Sequence, residues 1–172
     1  MVLDEAYGRE LLASSLSRIR LCVDTVNPEV YPLIRRGGDF KTVVANIRGG
    51  GEFGPKWHQA ALKANRHKAY EDFAAVARDL VARKVTSPRH LGVQGGSNGG
   101  LLTGNMLVQY PELFGAVVCQ VPLLDMRRYH QLLAGASWMG EYGDPDLPEE
   151  WAFIQTYSPY HLAKVAADYP PV

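Results

Sequence analysis

The feature that most constrains this chain is the stretch Gln94-Gly95-Gly96-Ser97-Asn98-Gly99-Gly100-Leu101. It follows a short apolar run and precedes a helical one, so the chain must leave a strand, reverse sharply and enter a helix. G-x-S-x-G in that setting is the pattern of a nucleophile elbow. The elbow strains the serine backbone, so its neighbours must lack bulk, which Gly95, Gly99 and Gly100 do, with Gly96 beside them. Ser97 is then expected to project from the sheet edge, with the backbone N–H of Asn98 placed as an oxyanion donor. The alternative is a glycine-rich turn with an incidental serine, because the motif alone is common. The strand before it and the helix after it favour the elbow.

Upstream, Thr42-Val43-Val44-Ala45-Asn46-Ile47 is a β-branched run that reads as a buried strand. Arg48 to Pro55 is a glycine-rich loop that lacks G-x-x-x-x-G-K-[ST], so it shapes a pocket wall rather than cradling a phosphate. A helical pattern covers 57–83, with Tyr70, Phe73, Ala77 and Leu80 as the apolar stripe and Val76 and Val81 widening it. Glu71, Asp72, Arg78 and Asp79 read as its solvated face. His58 and His67 lack metal-ligand spacing, and no metal or other cofactor is expected. Before residue 38 the pattern is weak: a helix over 6–19, a turn at Arg35-Arg36-Gly37-Gly38, a surface position for Tyr7-Gly8, and no assigned chemistry.

Leu91 and Val93 mark the strand into the elbow, and Leu101, Leu102, Met106 and Leu107 mark the helix beneath it, ending near Tyr110-Pro111. Ala116 to Val121 is a second buried strand, stopped by Pro122. Strands alternating with helices indicate parallel βαβ units. Beyond Pro122 we expect a short helix over 126–133, a loop over 134–143, a turn at Asp144-Pro145-Asp146, and helical pieces from Pro148 and from Ser158-Pro159. Tyr169-Pro170-Pro171-Val172 reads as the opening of a further strand.

Lys plus Arg balance Asp plus Glu at 18 each, which argues against nucleic acid or an anionic membrane as a partner. Cys22 and Cys119 form no framework, and with no basic-apolar leader the expected location is the cytoplasm.

Asn46-Ile47-Arg48-Gly49-Gly50-Gly51-Glu52-Phe53-Gly54, then Trp57-His58, then Gly95 to Leu102, resemble the prolyl oligopeptidase family of serine peptidases. Pro111-Glu112-Leu113-Phe114-Gly115, Trp138, Tyr142-Gly143 and Tyr157-Ser158-Pro159 extend the resemblance over about 43–172. It implies a partial α/β-hydrolase fold, with a mostly parallel sheet and helices on both faces. It implies hydrolysis of short peptides after proline, with Ser97 as nucleophile and the Asn98 N–H as one oxyanion donor. Trp138 matches the indole that stacks on the proline ring, and Tyr142 and Leu123 match the lining of that pocket. A flat aromatic against a pyrrolidine gives apolar contact without a charge. The family more often has a smaller aliphatic residue where Leu123 stands.

The resemblance also implies parts that do not match. The triad Asp and His would follow residue 172, the tyrosine oxyanion donor would precede Val43 but has no match in the first 38 residues, and the family's β-propeller has no counterpart. The expected organisation is therefore a poorly matched segment, 1–38, and an incomplete peptidase domain, 39–172. His130, five residues from Asp125, and His161 read as satisfied surface or interface histidines rather than relocated bases. Two other readings stay open: a non-catalytic remnant or split piece needing a partner chain, and an esterase or acyl-peptide hydrolase on the same scaffold. An unfinished sheet edge would favour self-association.

Overall fold

The computed structural model describes residues 46–51, 53–165 and 167–172. The expected helix over 6–19, the turn at 35–38, the surface position of Tyr7-Gly8, Cys22 and most of the strand over 42–47 lie outside the described residues. Asn46 and Ile47, its last residues, are irregular rather than extended in a ladder, and Ile47 is buried.

The pattern over 57–83 forms two helices, not one. Helix α1 is Pro55–Gln59 and α2 is His67–Ala82. Between them Leu62 is extended, Lys63 has φ 47°, and a tight 3-10 turn covers Lys63–Asn65. A left-handed residue cannot continue an α-helix, so the period survives while the helix does not. The stripe on α2 is buried as expected: Tyr70, Phe73, Ala77 and Leu80 are each at most 2% exposed. Full burial of an aliphatic or aromatic side chain such as Leu80 or Phe73 contributes about 1.5–3 kcal/mol.

Strand β1, Gly92–Gly96, pairs in parallel with β2, Ala116–Gln120, in the register Gly92↔Ala116 to Gly96↔Gln120. Helix α3, Asn98–Gln109, makes the crossover. It packs on the face that carries Val93, Gly95, Val117 and Cys119, where Cys119 Sγ lies 3.2 Å from Gly100 O. The opposite face carries Ala116, Val118 and Gln120, all exposed, so β2 is half-buried rather than buried. Among the described residues, helices cover one face of this pair, not both. β2 stops one residue early because Val121 turns to φ 37° before Pro122. On its outer edge Val117 N–H donates to Pro171 O at 2.9 Å, so the C-terminal residues start alongside the sheet as the sequence suggests.

Past Pro122 the expected helix over 126–133 is a turn followed by a 3-10 turn, Tyr129–Gln131. Met126 and Tyr129 are buried, but Leu132 and Leu133 are exposed and Leu133 has φ 48°, so the apolar stripe stops after Tyr129. The expected loop over 134–143 is instead a 3-10 turn, Gly135–Trp138, running into α4, Met139–Tyr142. Gly135 lets this segment fold back: a Cβ there would sit 1.7 Å from Tyr129 O. Helix α5, Pro148–Ile154, and helix α6, Pro159–Leu162, form where expected, each with proline in its first turn. Asn105 ties α3 to them, its Nδ2 donating to Leu101 O and Tyr157 O at 2.9 and 3.0 Å.

Candidate active site

Ser97 joins β1 to α3 with φ 55° and ψ −117°. A non-glycine residue held there stores about 1–3 kcal/mol of backbone strain, which persists only where the surroundings over-determine it. Two backbone bonds do so: Ser97 N–H donates to Gln120 O at 3.1 Å, and Ser97 O accepts from Leu101 N–H at 3.1 Å. The serine itself is exposed. Asn98 opens α3, so its N–H has no intrahelical acceptor and points out of the helix's positive end.

The flanking glycines divide. A Cβ on Gly95 would stand 2.2 Å from Gly99 O and 2.9 Å from Thr103 Cγ2, and one on Gly100 would stand 2.8 Å from Pro122 Cα. Gly96 would meet nothing nearer than 3.7 Å, and Gly99 nothing within 4 Å. The bulk restriction that the motif suggested at Gly99 is therefore not present. Helix and strand touch at Gly95 and Gly100, while Gly99 faces open space.

Asn98 is also held by its side chain. Its Oδ1 accepts from Arg66 Nη2 at 2.5 Å and from the Tyr142 hydroxyl at 2.8 Å. Arg66 in turn donates to Glu141 Oε1 at 2.6 Å and lies over the Tyr142 ring, 5.0 Å from its centroid. Burial alone would lower the Arg66 pKa, but Tyr70, Tyr142 and Glu141 more than offset it and the guanidinium is held above its ordinary value. Burial also pushes the Tyr142 hydroxyl up, against the lowering effect of Arg66. It remains a neutral donor to Asn98.

Trp138 ends the 3-10 turn before α4, and it and Leu123 are partly buried against the core. Tyr142 is buried, with Arg66 over its ring and Tyr129 edge-on at 5.6 Å, so most of its surface serves the protein. The glycine loop is pinned as a wall: Trp57 Nε1 donates to Ile47 O at 3.0 Å, and His58 Nδ1 to Gly49 O at 2.6 Å. Asp72, expected on a solvated face, accepts from Arg48 at its main-chain N, Nε and Nη2, at 3.0, 2.8 and 2.6 Å. Sequence reading missed this pair and Arg66, because neither partner is near the other in the chain. A buried arginine just before an apolar helix leaves no periodic signal.

All five histidines of the chain lie among the described residues. His58 and His67 bond main-chain carbonyls, His90 bonds Ser87 Oγ, and His161 bonds Ser158 Oγ at 2.8 Å. His130 donates to Asp146 Oδ2 at 2.9 Å, not to Asp125, which takes Arg128. None reaches Ser97. His130, Asp144 and Asp146 offer ligand atoms within 4.8 Å of one another. The other ring nitrogen of His130 is buried without a partner, however, whereas a metal-bound imidazole normally donates its second N–H.

A serine at positive φ between a parallel strand and a helix defines an α/β protein carrying a nucleophile elbow. The model of the prolyl oligopeptidase family matches residues 26–172, and the chain belongs to that family. An "uncharacterized peptidase" of Sinorhizobium fredii is 58% identical over 137 residues, 80% of this chain and 19% of that protein. A prolyl endopeptidase of Dictyostelium discoideum is 40% identical over 83% of this chain and 19% of its own length. A post-proline cleaving enzyme from Rickettsia typhi superposes with a TM-score of 0.71 at 51% identity, over 73% of this chain and 18% of that one. The chain thus spans about a fifth of the length of these relatives, within their α/β-hydrolase catalytic domain. No helix among the described residues is long and apolar enough to cross a membrane.

Proposed function

We propose that this chain carries the nucleophile of a serine oligopeptidase that cleaves short peptides after proline. The observation that carries the reading is Ser97, exposed and strained at the start of α3 in a chain of this family. Ser97 Oγ attacks the scissile carbonyl, and the oxyanion that forms is met by the Asn98 N–H and the positive end of α3. Trp138 stacks on the proline ring, and Leu123 and the edge of Tyr142 complete that wall. The base histidine and its orienting aspartate come from outside residues 39–172, which form part of the catalytic domain. This assignment is supported by the engagement of every histidine here with a group other than Ser97. The sparse cysteines support a reducing compartment, the cytoplasm, and no cofactor enters the reaction.

Labelling the chain with a fluorophosphonate, and assaying a chromogenic Gly-Pro substrate with and without the complementary part of a relative's catalytic domain, tests the reading. Hydrolysis restored by the complement and abolished in S97A is the expected result. Cleavage of Lys or Arg esters but not of Gly-Pro would reject the proline assignment, and a Ser97 that reacts in neither arrangement leaves a non-catalytic remnant. In the active arrangement W138A should lose selectivity for proline and keep simple ester hydrolysis, since the indole offers contact and no proton transfer.

A further inference from the structure

Arg66 is the only buried charged residue among the described residues. Such a charge is retained where good geometry repays its desolvation. Here one arm of the guanidinium fork is held by Glu141 and the other is aimed at Asn98, while Nε is buried without a partner, so the two Nη bonds carry the whole hydrogen-bond compensation. Asn98 Oδ1 takes a second donor, the Tyr142 hydroxyl, so its side chain is gripped from two directions. We propose that Arg66 is a positioning residue: it clamps the Asn98 side chain and thereby fixes the Ser97–Asn98 peptide plane, and with it the oxyanion N–H and the serine. The inference rests on the peptidase reading of Ser97 for its consequence in catalysis, but not for its geometry.

The clamp has a direction. Relaxing Ser97 from φ 55° rotates the peptide that carries the Asn98 N–H, and that rotation drags Oδ1 away from both donors. Glu141 and Tyr142 lie on α4, directly after Trp138. One guanidinium therefore registers the proline-stacking indole against the nucleophile. A lysine could not do this in full, because a single ammonium is a point charge where the planar fork serves two acceptors in fixed directions.

Residue-by-residue amide hydrogen exchange on the 172-residue chain, comparing wild type with R66M, R66K and N98A, tests the clamp. Met keeps the apolar bulk of the buried arm and removes both bonds. N98A removes the shared acceptor and leaves the Arg66–Glu141 pair intact. The Ser97 and Leu101 amides, and those of α4, should exchange about tenfold faster in R66M, the size of losing one charge-assisted hydrogen bond. R66K should recover part of that protection, and α2 should keep its own. In N98A the acceleration should be confined to the elbow. Unchanged exchange at Ser97 and Leu101 in R66M and N98A overturns the proposal, as does acceleration spread evenly over the chain. Should R66M fail to fold, N98A decides by the same criterion. Fluorophosphonate labelling with the complementary part of a relative's catalytic domain present separates the two readings: a Ser97 that does not react there while exchange responds sinks the peptidase reading alone. Labelling at equal rates in wild type and R66M with unchanged exchange sinks the clamp alone.

Discussion

Gly95 and Gly99 stand two residues either side of the nucleophile, yet space demands only one of them. A methyl group at Gly95 collides with the main chain of Gly99, so strand and helix would have to separate where Ser97 depends on both. G95A should therefore lose about 2 kcal/mol or more of stability, by overpacking against backbone that cannot rotate away. G99A meets nothing and lies in a helix, so it should change stability by no more than about 1 kcal/mol, with Ala favoured over Gly. Urea midpoints for the two variants check this, and equal losses would show that the motif acts through backbone freedom alone. The motif was legible as a motif, but the division among its glycines was not. Which methyl would clash depends on how closely the Gly99 main chain folds back on Gly95 and on Pro122 beside Gly100, and the motif's spelling fixes neither distance.

At the scale of elements, the glycine loop is fastened to α2 by Arg48 and Asp72. Burial tends to raise the Asp72 pKa, but its bonds from the Arg48 side chain and main chain outweigh that, and the carboxyl is held below its usual range. A group whose folded value is depressed stabilises the fold fully above its unfolded value, near 4, and loses that contribution as pH falls through the folded value. The stability gap between wild type and D72N should thus be largest at neutral pH and shrink below about pH 4. Denaturant midpoints across that range test it, and a gap independent of pH would mean Asp72 acts by shape alone. Helix α2 was legible because its stripe recurs every three or four residues. The break before it was not, because Lys63 adopts a left-handed conformation that its side chain does not advertise.

For the molecule as a whole, the sheet is where the described residues leave most undone. Val118 is 46% exposed on the face opposite α3, and Val121 beyond it is 82% exposed. The outer edge of β2 donates one backbone bond to the C-terminal residues, from Val117 N–H to Pro171 O. Exposed strand faces and edges pair with other chains unless blocked. The isolated chain should self-associate, and V118K should reduce this, as read by light scattering; a monodisperse monomer of the wild type would refute it.

The local sequence by itself determined the strand–serine–helix elbow, the buried stripe of α2, the parallel pairing implied by alternating elements and the family. Each is written in short-range periodicity, glycine placement or contiguous motif. Only the tertiary structure decided that β2 is half-buried, that residues 126–143 fold into tight turns, and that Asp72 and Arg66 are anchors. These depend on which distant groups meet, as Arg66 meets Asn98 and Glu141. The energy of a desolvated charge is set by such partners, not by its neighbours in the chain.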